Sequence, residues 1–340
     1  MQQLKVRKQK RFIIIMMVLL VLLVSMFFIS LSTGVIQISP KEVIQTLLNK
    51  GTDRQELFLF EFRLPGIILA LLIGAGLAVS GAILQGITKN ELADPGILGI
   101  NTGAGLAVVL FIFFLRDVMP TTSTLSVFLM PFAALIGAVF AAFLIYIIAW
   151  KQGVNPIRLV LVGIGVNAAF GAILTILQLK MDPQNYRFVT IWLSGDIWNA
   201  NWNFVLALLP WILILIPIAL QKAKALNVFN LGDDVAAGLG TNVEKERAVL
   251  LLLAVALAGA SVAAGGAIAF LGLVIPHIAR KLIGPLHQYL IPISAILGSL
   301  LLMVADTIGK NILAPSEIPV GIVVAIISVP YFVYLLMRAK

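Results

Sequence analysis

The 340-residue sequence predicts an all-α integral membrane protein of about ten transmembrane helices, one membrane domain over residues 1–340 with both termini cytoplasmic. Three observations carry this expectation. Hydrophobic residues make up 61% of the chain and charged residues only 11%, where a soluble domain carries roughly a quarter charged. Apolar runs near the ~20 residues that a helix needs to cross the hydrocarbon core recur along the whole length, without the alternating segments of a membrane barrel. With both termini inside, two-thirds of the 24 Lys and Arg fall on cytoplasmic segments, as the positive-inside rule requires.

Taken in order, the spans fall at about 12–32, 64–87, 95–115, 127–150, 157–178, 204–220, 248–264, 266–283, 289–309 and 319–337. The first follows Lys5, Arg7, Lys8, Lys10 and Arg11, as a signal peptide would, but its apolar stretch is too long and no small-residue cleavage site follows. The second interleaves Gly74, Gly76, Gly81 and Gly86 with Ala70, Ala75, Ala78 and Ala82, a face on which another helix backbone can lie close. Asp94-Pro95 suits the cap of a third helix starting at Pro95. The sixth to eighth spans are short or interrupted by glycine, which leaves nine or eleven spans open. Residues 79–83 echo 264–268 on oppositely directed spans, consistent with inverted halves or with chance in a Gly/Ala-rich chain.

The net charge of +9 is accounted for by topology and contact with anionic lipid, and is not read as nucleic-acid binding. No cysteine is present, which excludes disulfide and thiol chemistry. The stretches between spans, 33–63, 179–203 and 221–247, are too small for an independent core. No G-x-x-x-x-G-K-[ST] phosphate loop occurs, so any ATP must be hydrolysed by a partner.

The polar stretch "FNLGDDVAAGLGTNVEKER" (229–247) predicts a short cytoplasmic helix within 229–241. Asn230 can cap it, Asp233 and Asp234 sit in the first turn where the macrodipole favours them, and Gly238 or Gly240 can end it. Leu231, Val235 and Leu239 recur every four residues, an apolar face on a helix too short to stand alone. That face lies on the protein's own surface, in the lipid interface, or in the groove of a partner.

Leu231-Gly232-x-x-x-Ala236-x-x-Leu239-Gly240 resembles the coupling motif of the permease subunits of type II ATP-binding-cassette importers, the group that takes up vitamin B12, ferric siderophores and haem. Residues 63–105, with Asn90-x-Leu92-Ala93-Asp94-Pro95-Gly96-Ile97-Leu98-Gly99, are similar to the family's second-span region. "GGAIAFLGLVIPHIARKLIG" (265–284) and "ADTIGKNILAPSEIPVGIVVAIISVPYFVYLL" (305–336) are similar to its closing motifs, in the family's order.

The resemblance implies roles. Leu231, Gly232, Asp233, Asp234, Val235, Ala236, Leu239 and Gly240 would form the helix that docks into the ATPase. Arg63 and Lys310 would meet acidic patches of an external binding protein, unless they are flank charges that snorkel. Gly66 stands where a second Arg commonly follows the Pro, so that contact would be weaker. A cytoplasmic gate would lie at 153–157, including Asn155, Pro156 and Ile157, with Gly163, Gly165 and Asn167 giving the fifth span flexibility and a polar point. Residues 186–198 look like the family's short outer helix.

Pro276, His277 and Arg280 sit at the inner end of the eighth span, where His277 and Arg280 share a face that can meet lipid phosphate, a neighbouring loop or the ATPase. Metal binding is not expected, because His277 has no second His beside it. Asp306 reads as the most membrane-embedded carboxylate, paired with Lys310 one turn on.

The expected protein is one half of a dimeric translocation pathway in a bacterial inner (cell) membrane, working with two ATPase subunits, a second permease copy or paralogue, and an external binding protein. It would be no enzyme and bind no cofactor itself, with ATP and Mg on the ATPase. A ferric siderophore is the first-ranked cargo, then cobalamin or haem; the rivals are a proton-coupled secondary transporter and an intramembrane enzyme.

Overall fold

In the computed structural model, residues 2–34, 38–48, 50–115, 124–151, 155–197 and 200–338 are described. They form a helical bundle: α1 (Gln2–Ser32), α2 (Pro40–Leu47), α3 (Asp53–Glu56), a π-helical segment (Leu57–Arg63), α4 (Leu64–Thr88), α5 (Ile100–Leu115), α6 (Thr124–Ala149), α7 (Pro156–Leu179), α8 (Pro183–Leu193), α9 (Trp202–Gln221), α10 (Ala223–Phe229), α11 (Asp233–Gly238), α12 (Val243–Gly265), α13 (Leu271–Ile283), α14 (His287–Ile312) and α15 (Val320–Arg338). Eight helices among the described residues are long and apolar enough to cross a membrane.

All ten expected segments are helical, but the third and eighth are short. α5 has 16 residues and α13 has 13, about 24 and 20 Å of helix. Apolar composition continues through 95–99 and 266–270, whereas the backbone leaves the helix there: Gly99, Gly266 and Phe270 all have positive φ. The third helix therefore starts at Ile100 and not at Pro95. The echoed stretches also differ, since 79–83 is continuous helix inside α4 while 264–268 runs out of α12 at Gly265.

α4 is the hub, packed by α14, α12, α13 and α9. Its small residues make this possible: a Cβ on Gly74 would lie 2.4 Å from the Gly298 carbonyl oxygen, and one on Gly81 only 1.9 Å from that of Gly272. Short hydroxyl bonds lock the crossings, from Ser80 Oγ to the Ala254 carbonyl (2.7 Å) and from Ser299 Oγ to that of Leu71 (2.6 Å). Each such interhelical bond contributes about 0.6 kcal/mol on average. α1 instead lies at the periphery with most of its apolar surface outward, as a lipid-facing helix should.

Candidate functional site

The 25 residues of α4 place Arg63 and Lys89 at opposite ends of the bundle, and each end gathers expected site residues. At the Lys89 end, α11 spans six residues, and Leu231, Val235 and Leu239 stand 61%, 48% and 64% exposed while Ala236 is buried. The three apolar side chains are thus uncovered within this chain, but only Val235 lies inside the helix: Leu231 precedes the Gly232 turn and Leu239 is the C-cap residue. Asn230 does not cap it. The chain ends α10 at Asn230, and Gly232, at φ 109°, turns it into α11 with no side-chain cap.

Asp233 supplies the anchorage instead. Lys89 Nζ meets its Oδ1 at 2.8 Å and Arg247 Nη2 its Oδ2 at 2.7 Å. Arg247 is buried, reaches Glu244 at 3.1 Å, and lies over the Phe229 ring. Partial burial pushes the Asp233 carboxyl up, but the bonds from Lys89 and Arg247 outweigh it and hold the group below the ordinary Asp range. Asp234 is exposed.

Beside α11, Glu91 receives the motif histidine and arginine of α13. His277 Nδ1 lies 2.9 Å from Glu91 Oε2, and Arg280 Nη1 2.9 Å from Oε1; Arg280 also donates to Gln85 Oε1 at 3.1 Å. Within this chain, the partner of that face is the neighbouring loop. Pro276, the residue before His277 in α13, is buried.

Asn155 caps α7 by accepting from the Ile157 and Arg158 amides, with Pro156 at the first turn and Ile157 72% exposed. Gly153, Val154 and Trp198 lie outside the described residues. α7 is helical from end to end, with Gly163 and Gly165 inside it. Gly163 permits close packing, since a Cβ there would sit 3.1 Å from Leu98 Cα, while one on Gly165 meets nothing within 4 Å. Asn167 accepts a hydrogen bond from Thr102 Oγ1. It lines a cavity of about 370 Å³ with Asp94, Asn101 and Phe270, between the two helix breaks.

Asp94, missed as a site residue, is as buried as Asp306, at 3% against 4% exposure. Its carboxylate accepts the amides of Gly96 (2.7 Å) and Ile97 (3.4 Å), and that of Leu273 in the first turn of α13. It therefore closes a turn and pins a second helix, whereas the Asp-Pro pair suggested only a helix start. Asp94→Ala should cost about 1–3 kcal/mol for stranded buried amides, read as a lower thermal midpoint in detergent; Asp94→Asn, which keeps an acceptor, should cost less.

At the other end of α4, Arg63 and Lys310 line one pocket of about 280 Å³ with Ser30, Thr33, Phe58 and Glu317. Arg63 donates to the Leu31 carbonyl and Lys310 Nζ meets Asp306 Oδ2 at 2.7 Å. A Cβ on Gly66 would lie 3.3 Å from Lys310 Nζ. The lysine ammonium thus occupies the space above Gly66.

Residues 19–338 match the FecCD transport family. The chain is 59% identical to the iron(3+)-hydroxamate import system permease protein FhuG of Bacillus subtilis (strain 168), over 98% of this chain and 99% of that one. It is 44% identical to the iron-uptake system permease protein FeuC of the same organism, over 94% and 95%. A solved inward-facing structure assigned to the metal-chelate type of ABC transporter superposes with a TM-score of 0.83 at 28% identity, covering 96% of this chain and all of the other.

Proposed function

Because the chain belongs to the FecCD transport family, we propose that it is the membrane-spanning subunit of an ATP-driven importer of ferric siderophores, with ferric hydroxamates as the cargo class. The observation that carries the cargo is the end-to-end 59% identity with an iron(3+)-hydroxamate import permease; cobalamin and haem rank behind it. The chain is a multi-pass membrane protein, and in this reading it sits in the bacterial cell membrane with both termini and the α11 end cytoplasmic.

α11 offers an exposed apolar face on a charge-anchored base, the form suited to a groove on an ATPase subunit. Two such subunits would supply the ATP and Mg chemistry, and this chain would bind no cofactor. A second permease, copy or paralogue, would complete the pathway along α7 and α15, whose exposed faces carry Ile157, Leu161, Ile326 and Met337. The pocket of Arg63 and Lys310 would receive an acidic patch of an external binding protein. Arg63→Glu should then weaken that docking about tenfold or more, since like charges repel across an interface, with binding-protein affinity for the purified complex as the measurement.

The direct test is uptake of a radio-iron ferric trihydroxamate into cells lacking or carrying the chain, with the remaining subunits present. Restored uptake that survives an uncoupler and fails on ATP depletion is expected. Uptake that an uncoupler abolishes while ATP is maintained would point to secondary transport, and no uptake of the hydroxamate beside uptake of haem or cobalamin would reassign the cargo.

A further inference from the structure

We infer that the loop at 89–94 is the piece that transmits movement of α11 to the pathway helix α15, acting through α13. The inference rests on the reading of α11 as the ATPase-docking helix. Lys89, the first residue past α4, has φ 51° and turns the chain sharply. Its ammonium holds Asp233, the first residue of α11. Two residues on, Glu91 takes His277 and Arg280 in the second half of α13, and Asp94 takes the Leu273 amide in its first turn. Six residues therefore grip α11 once and α13 at both halves.

α13 is a short helix set off from the chain on either side, packed on α4 and α14 and touching α15. Its flanking residues, Phe270 at φ 66° and Gly284 at φ 88°, interrupt the helix at both ends. His277 itself also reaches α15, its ring 5.9 Å from that of Tyr331, and Phe270, the residue before α13, lies 6.0 Å from Phe332 between ring centroids. The other tie to Asp233, Arg247, leads into α12, which is largely buried against α4 and serves as a fixed anchor. The Lys89–Asp233 pair is about one-third exposed on each side and Glu91 about half, at 34%, 39% and 52%. Pairs so placed can break and re-form at little cost, as a transmission contact must. A contiguous set of contacts carries coupling only if both ends bias its arrangement, which is the property to measure.

The chain has no cysteine, so spin labels at Arg11→Cys on α1 and Met337→Cys on α15 are unique within it. In the assembled transporter with its ATPase, the label distance should differ between nucleotide-free and nucleotide-bound states. In the Lys89→Ala/Glu91→Gln variant that difference should vanish, ATP hydrolysis should continue, and ferric trihydroxamate uptake per ATP should fall about fivefold or more. Lys89→Arg and Glu91→Asp, which keep the charges, should restore both readouts.

An unchanged distance shift with full uptake in the double variant would overturn the inference. Loss of the ATPase from that variant would overturn it too, because the loop would then only hold α11 in place. If the double variant fails to assemble, Lys89→Ala alone, at an exposed pair, carries the same test. Failure of the underlying reading looks different: Gly232→Arg would leave ATPase association intact, whatever the loop variants do.

Discussion

Gly232→Arg should abolish ATP-driven uptake while leaving the chain in the membrane at its normal level. Gly232 turns the chain into α11 at φ 109°, and nothing in this chain lies within 4 Å of the position a Cβ would take. A side chain there meets no internal neighbour. If a partner covers Leu231, Val235 and Leu239, as proposed, a bulky cation at the centre of that contact should weaken it by about 2 kcal/mol or more. The backbone strain of a non-glycine residue acts as well, so Gly232→Ala separates the two effects: it carries the strain without the bulk and should retain part of the uptake. Val235→Glu, on the same exposed face and in ordinary helix, should fail as Gly232→Arg does. The check is co-purification of the ATPase with each variant, alongside uptake. Wild-type ATPase recovery with both Gly232→Arg and Val235→Glu would remove α11 from the interface.

Gly81→Leu should leave almost no folded protein. The Gly81 Cβ position falls 1.9 Å from the Gly272 carbonyl oxygen, against backbone that cannot rotate away, so α4 and α13 must separate. The loss goes beyond the crossing itself, because Asp94 and Gln85 bond to the adjoining Leu273 only when α13 lies close. The expected cost exceeds about 4 kcal/mol, seen as lost membrane accumulation and an aggregated profile in detergent. Gly165→Ala is the control. It sits in α7 with open space around it and should accumulate normally.

The long helices are legible in the sequence because apolar runs of spanning length have one inexpensive backbone solution in lipid, all bonds satisfied within the helix. The breaks at 95–99 and 266–270 are not, since composition there stays apolar and the departure from helix is enabled by distant groups: Asp94 receiving Leu273, and Asn101 donating to the Ile268 carbonyl at 3.0 Å. The apolar character of the α11 surface follows from the local run of Leu231, Val235 and Leu239, although the Gly232 turn leaves only Val235 within the helix. Its anchorage does not, because Lys89 and Asp233 are 144 residues apart and only the tertiary fold sets them together. Glu91 was hidden for the same reason: His277 and Arg280 pointed to a partner, and the sequence offered three kinds. Gly163 and Gly165 look alike as letters, yet one is packed against Leu98 and the other is open.

The π-helical segment Leu57–Arg63 fixes how this end of the molecule is turned relative to α4. A π-turn, bonded i to i+5, carries one residue more than an α-turn and so changes the angle at which the chain enters the helix that follows. Here it leads directly into α4, and the Phe60 carbonyl within it is taken by the Trp202 indole at 2.9 Å. Deleting one residue from this segment would rewind it to ordinary α-helix and swing everything upstream by about 100° relative to α4. The guanidinium at its edge would then lose the Leu31 carbonyl, and α2 and α3 would face elsewhere. The segment therefore sets the azimuth of this end of the molecule, and relatives that differ in length by one residue here should present that surface rotated.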